Sequence, residues 1–159
     1  MKLSAIAFRS TAVAALMTAA FLATSAKAEP LPDKWCSDVS IRFFTGGGEG
    51  DAFGTIVYNG ARQAASDTGA KVDYLFSKWN SETMIQQLRE AIAAKPDGIA
   101  MMGHPGNAAI LPLAEEAAKA GIRMIYQNAP VDETVAKFGG GYVGAQQKEQ
   151  GMALGEEAL

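Results

Sequence analysis

Three short stretches hold the residues of this chain best suited to chemistry. The first, Thr45-Gly-Gly-Gly-Glu-Gly-Asp-Ala-Phe-Gly54, sets Asp51 two positions before Phe53 in a run of glycines. Glycines let backbone amides approach a small ligand closely. Asp51 offers two acceptor oxygens for hydroxyl groups, and Phe53 offers an apolar face for the C–H side of a ring. Each also has a structural reading, Asp51 as a helix N-cap and Phe53 as a core anchor. The second stretch, Gly103-His104-Pro105-Gly106-Asn107, carries the sole histidine. Its imidazole can donate to a ligand oxygen or stand solvated in the loop. The third, Gln127-Asn128-Ala129-Pro130, presents two neutral amides that both donate and accept, which suits an uncharged, hydroxyl-rich ligand.

Other chemistries fail on spacing. In G-x-G-x-x-G counted from Gly46 or Gly48, the last glycine falls on Asp51 or Phe53. The second strand ends in Phe76-Ser77-Lys78-Trp79 rather than in an acid that would hold a ribose. Glu49 and Asp51 would oppose a bound pyrophosphate. His104 has no catalytic partner at recognisable spacing, neither a G-x-S-x-G elbow nor a Cys-His pair. One cysteine, Cys36, and one histidine cannot build the usual structural zinc site, and Cys36 reads as a surface or packing residue. No enzyme activity, cofactor or metal is therefore expected. Trp79 reads as a packing or rim residue rather than a direct stacker.

The elements that must position these loops alternate in type. Ser40–Phe44, Val72–Phe76, Gly98–Met102, Arg123–Tyr126 and a run around Tyr142-Val143 read as strands. Between them lie helical patterns. Phe53, Ile56, Val57, Ala61 and Ala64 mark one helix face, ending near Gly69. Met84, Ile85, Leu88 and Ile92 mark a second, with Asn80 as N-cap and Pro96 beyond its end. The third runs from Asn107 to Ala120, with Pro112 expected to delay its start or kink it. Single helices between strands imply right-handed crossovers and a doubly wound parallel α/β sheet. In such sheets ligands bind beyond the carboxyl ends of the strands, where the three stretches fall.

The start of the chain is different in kind. Residues 1–28 carry Lys2, Arg9 and Lys27 and no acid, around an apolar stretch from Thr11 to Ala23 and an Ala26-Lys27-Ala28 exit. That is a cleaved secretory signal, too short in its apolar part to cross a bilayer core of roughly 30 Å. Losing its three basic residues takes the net charge from −3 to −6, so the exported protein is acidic and no nucleic-acid binder. With 48% hydrophobic and 19% charged residues the rest is ordinary globular chemistry.

From Val39 to Leu159 the chain resembles the periplasmic sugar-binding proteins of the ribose/galactose type, the solute receptors of ABC importers. The resemblance rests on Gly50-Asp-Ala-Phe53, Val57-Tyr-Asn-Gly-Ala61 and Asp67-Thr-Gly69. It continues through Gln86-Gln-Leu88, Lys95-Pro-Asp-Gly-Ile99, Ala117-Ala-Lys-Ala-Gly-Ile122 and Tyr142-Val-Gly144, then Gly151 and Gly155. It implies a type I lobe, incomplete here: a leader at 29–38, an N-terminal sugar-binding lobe at 39–138 and the start of a second lobe at 139–159, with a helix from about Gln146. It also implies a monomeric periplasmic receptor that takes a sugar or polyol and meets an ABC permease. The first-loop contact and stacking roles map onto Asp51 and Phe53, and His104, Gln127 and Asn128 complete the expected ligand set. Two positions depart from the family pattern. Gly54 stands where a second aromatic is common, and Asn128-Ala129 where Asp is commonly followed by Arg, so the hydrogen-bonding role passes to Asn128 without a charged partner. These receptors are about twice as long, so the chain reads as a truncated form whose single wall binds sugar only weakly. The same fold serves chemosensor ectodomains and repressor effector domains; the signal occupies the place of a repressor's DNA-binding segment. A Rossmann-type enzyme is the remaining alternative.

Overall fold

The computed structural model describes residues 32–158, so the predicted signal at 1–28 and the first residues of the leader lie outside the described residues. The order is β1 (Ser40–Phe44), α1 (Ala52–Thr68), β2 (Lys71–Leu75), α2 (Ser81–Ala93) and β3 (Gly98–Met102). It continues as α3 (Asn107–Lys119), β4 (Arg123–Gln127), α4 (Asp132–Phe138), β5 (Tyr142–Val143) and α5 (Gln147–Glu157). All strands pair in parallel in the order β2-β1-β3-β4-β5. This is the α/β sheet the alternating pattern predicts.

The chain leaves β1 toward β2 on one side and returns past β1 to β3, β4 and β5 on the other. With right-handed crossovers, α1 lies on one face of the sheet and α2, α3 and α4 on the opposite face. Side-chain alternation agrees. Phe44, Ile99, Met101, Met124 and Tyr126 are buried in one core with Met84 and Leu88 of α2 and Ile110 and Leu113 of α3. Residues of opposite parity meet α1: the Tyr58 ring packs edge-on against Tyr74 at 4.8 Å, and Phe43 lies 6.1 Å from Tyr74. α1 covers β1 and β2 only, so Ile125 of β4, on that side, is 48% exposed.

Two helix expectations need correction. The face of α1 is rotated by about one residue from the predicted one. Phe53, Ile56 and Ala64 point outward, with Ile56 72% exposed, while Gly54, Val57, Tyr58, Ala61 and Ala65 point inward. The cause is at the helix start, where a Cβ on Gly54 would lie 3.3 Å from the Gly47 Cα; the helix docks through two glycines, and Tyr58 turns onto the β2 aromatics. Pro112 does not delay α3, which begins at Asn107. Pro112 lacks the N–H that would serve the Ala108 carbonyl, and both residues are exposed. The seven-residue α4 was not predicted.

Long-range polar contacts fix the register. The Ser40 backbone N–H and hydroxyl donate to Asp97 Oδ2 at 2.7 and 2.6 Å, across 57 residues, and hold Asp97 below the usual carboxylate range. The leader's turn packs on the end of α1: Cys36 N–H donates to the Thr68 carbonyl at 2.8 Å, and the Lys34 ammonium to the Ser66 carbonyl. Cys36 is a free, half-buried thiol.

Candidate ligand-binding site

The sheet's switch point lies between β1 and β3, where successive crossovers depart in opposite directions. The loops that follow these two strands carry Asp51 and His104. β1 ends in Phe44 because that side chain is buried, and the glycine run then lets the chain turn sharply toward α1. Gly46 has a φ of 81°, and a Cβ there would overlap the Met102 thioether and the Trp79 ring. No other residue fits that position.

Asp51 is the N-cap of α1. Its Oδ1 accepts from Gly54 N–H at 2.7 Å, and its Oδ2 accepts from the indole N–H of Trp79 at 3.1 Å. These two donors, the Gly54 amide first, hold the Asp51 carboxyl below its usual value. Phe53, the second residue of the helix, is 44% exposed, with its ring centroid 5.7 Å from that of Trp79 at 53°. On the other side the His104 ring lies 5.6 Å from Trp79 at 30°, and His104 Nε2 is 3.1 Å from the Trp79 carbonyl oxygen. Asp51, Phe53 and His104, chosen from sequence, thus form one cluster. A shallow depression of about 730 Å³ runs beside it past Glu49, Phe76 and Lys78.

Gln127 and Asn128 sit one strand further along and are occupied differently. The Gln127 amide donates to the Phe44 carbonyl at 2.9 Å, tying β4 to β1 across β3. Asn128 adopts a left-handed φ of 64°, and its amide points at Met102 Sδ, 3.7 Å away. Its carbonyl accepts from the Tyr142 hydroxyl at 3.0 Å and from Gln147 Nε2 at 2.8 Å. The buried Met102 thioether touches both the Asn128 amide and the Gly46 turn. Among the described residues no group of three or more His, Cys, Asp or Glu could hold a metal ion.

The residue that sequence reasoning set aside is Trp79. Its signal was its type, an aromatic at the carboxyl end of β2 between Ser77 and Asn80, but its role depends on a backbone conformation that composition does not report.

The parallel α/β sheet thus gathers aromatic and polar side chains at the carboxyl edge of its switch point, where ligands bind in such folds. Residues 43–159 match the periplasmic binding protein domain, and the chain belongs to that family. It is similar to a carbohydrate transporter from Acidothermus cellulolyticus solved in complex with myo-inositol, at 29% identity and a TM-score of 0.66, over 76% of this chain and 41% of that one. It shares its fold with an ABC transporter solute-binding protein from Burkholderia graminis in complex with D-arabinose, at 19% identity and a TM-score of 0.66, over 77% of this chain and 41% of that one. The same holds for a periplasmic sugar-binding protein from Pseudomonas fluorescens, at 20% identity and a TM-score of 0.61, over 76% and 36%. The chain spans less than half the length of these structures. No curated protein sequence matches it.

Proposed function

We propose that the chain forms the N-terminal lobe of a receptor that captures a sugar or cyclic polyol and delivers it to an ABC permease, without transforming it chemically. The observation that carries this reading is the cluster of Asp51, Phe53, Trp79 and His104 at the switch point, an apolar ring surface flanked by hydrogen-bonding groups. Such a pairing matches a ring with one C–H face and a hydroxyl edge. The relative solved with myo-inositol, at 29% identity, supports the same ligand class. Asp51, Phe53 and His104 are the main contacts, with Gln127 and Asn128 reached at the rim. Residues 1–28 direct export to the periplasm, 39–138 make the sugar-binding lobe, and 139–159 open a second one.

Residues 31–159 form one compact unit, so the exported chain, 29–159, can be tested directly. Titrating its ¹⁵N-labelled form with myo-inositol, D-arabinose and D-allose is expected to move amides at 46–54, 104–107 and 127–129, with millimolar affinity. One wall leaves the ligand half in water, which limits the affinity. Perturbation elsewhere, or none with any of the three, overturns the reading. Recovery of an altered sugar would overturn its non-enzymatic part.

A further inference from the structure

We propose that Trp79 is the positioning residue of this site: it fixes Asp51 and His104 as hydrogen-bond acceptors beside the Phe53 ring, matching a neutral hydroxyl-bearing ring over an anionic sugar. The proposal rests on the polyol reading above. Trp79 does so from a backbone held in an uncommon form. Lys78 and Trp79 are consecutive non-glycine residues with left-handed φ values of 52° and 61°. Three hydrogen bonds to the first loop lock them there. Trp79 N–H donates to the Gly46 carbonyl at 2.8 Å, Lys78 N–H to the Gly47 carbonyl at 3.2 Å, and the buried Ser77 hydroxyl to the Gly46 carbonyl at 2.8 Å.

The polarity of the site follows from what Trp79 touches. Its indole N–H takes Asp51 Oδ2 while Gly54 N–H takes Oδ1, so the carboxylate is held in one orientation and keeps only acceptor capacity for a ligand. The Trp79 carbonyl oxygen can only accept, so the contact at 3.1 Å places the proton of a neutral His104 on Nε2. Nδ1 is then left as an acceptor, not as the donor a lone imidazole suggests. Hydroxyl groups satisfy both acceptors, whereas a ligand carboxylate or phosphate meets Asp51 and Glu49, with Lys78 the one cation among the described residues that line the adjoining depression. The indole also packs against both the Phe53 ring, at 5.7 Å and 53°, and the His104 ring, at 5.6 Å and 30°.

The test uses the full chain and two probes, myo-inositol and D-glucuronate, with Trp79→Phe and Asp51→Asn and, as a control at an exposed site, Trp35→Phe. In the wild type the His104 ring nitrogens are expected to report the Nε2–H tautomer, and myo-inositol but not D-glucuronate to bind. Trp79→Phe keeps an aromatic ring but loses the donor. It should raise the Asp51 titration midpoint seen by carboxyl ¹³C NMR and weaken myo-inositol binding about tenfold, the effect of one lost charge-assisted hydrogen bond. Trp35→Phe should change neither. Should Trp79→Phe not fold, Asp51→Asn keeps the cap oxygen for Gly54 and leaves the indole N–H without its acceptor, so that resonance should shift and exchange faster. An unchanged midpoint or affinity in Trp79→Phe, an unmoved indole resonance in Asp51→Asn, or an Nδ1–H tautomer overturns the proposal. A wild type that ignores myo-inositol, D-arabinose and D-allose while Trp79→Phe still shifts the Asp51 midpoint overturns the sugar-or-polyol reading and upholds the Trp79–Asp51 link.

Discussion

Asp51, half-buried, and Asp97, exposed, are both carboxylates whose hydrogen bonds favour the charged form. Asp51 is held by the Gly54 amide and the Trp79 indole, and Asp97 by the Ser40 hydroxyl and amide. Each therefore titrates below the ordinary value of 3.8. A carboxyl lowered on folding contributes stability that is fully present above its unfolded value and lost as pH falls through its folded one. Urea unfolding across an acid pH series is thus expected to show a decline that begins near pH 4 and deepens below it, and Asp97→Asn should flatten that limb. An acid limb identical to wild type in this variant would count against the Ser40 contact. At this scale side-chain type and position after a strand were enough to pick out three residues that the fold brings together around Trp79. Asp51, Phe53 and His104 stood out because each follows an apolar run that ends a strand. The partner of Asp51 did not stand out, because Trp79 meets it across 28 residues through two left-handed residues.

The strands and three of the helices were legible from short apolar or alternating runs and 3.6-residue patterns, and α5, expected from about Gln146, from the family resemblance. Asn80 was recognised as the cap of α2, and its side chain does accept from Thr83 N–H at 2.7 Å. The α1 face was misread because Phe53, Ile56 and Val57 offer two overlapping apolar stripes, and the choice between them is made by glycine contacts that carry no hydrophobic signal. The corrected face has a direct test. Ile56→Lys is expected to change stability by no more than about 0.5 kcal/mol, and Val57→Ala to cost about 1–2 kcal/mol, both by urea denaturation. The reverse order would restore the predicted face. α4 escaped because seven residues are too few to display a period, and Asn107 anchors its start, accepting from Thr134 N–H and hydroxyl at 3.2 and 3.0 Å.

In the described residues as a whole the sheet is covered unequally. Three helices pack on one side, whereas α1 alone covers the other and leaves Ile125 and the neighbouring parts of β3 and β4 accessible. The sequence implied helices on both faces but not this imbalance, because the strand order that creates it depends on which strands pair, and periodicity is silent on that. Ile125→Lys is expected to lower the binding of a hydrophobic dye and raise solubility without changing the circular dichroism spectrum. Unchanged dye binding would show that the face is covered in solution. The central strand has a further consequence, one of timing. β1 emerges first yet lies between β2 and β3, and its Ser40 must wait 57 residues for Asp97. Until β3 is available, Ile99 and Met101 have not joined Phe44, and no lasting core exists. A nascent chain therefore stays open until β3 has emerged, a delay that would keep it competent for the export proposed for residues 1–28.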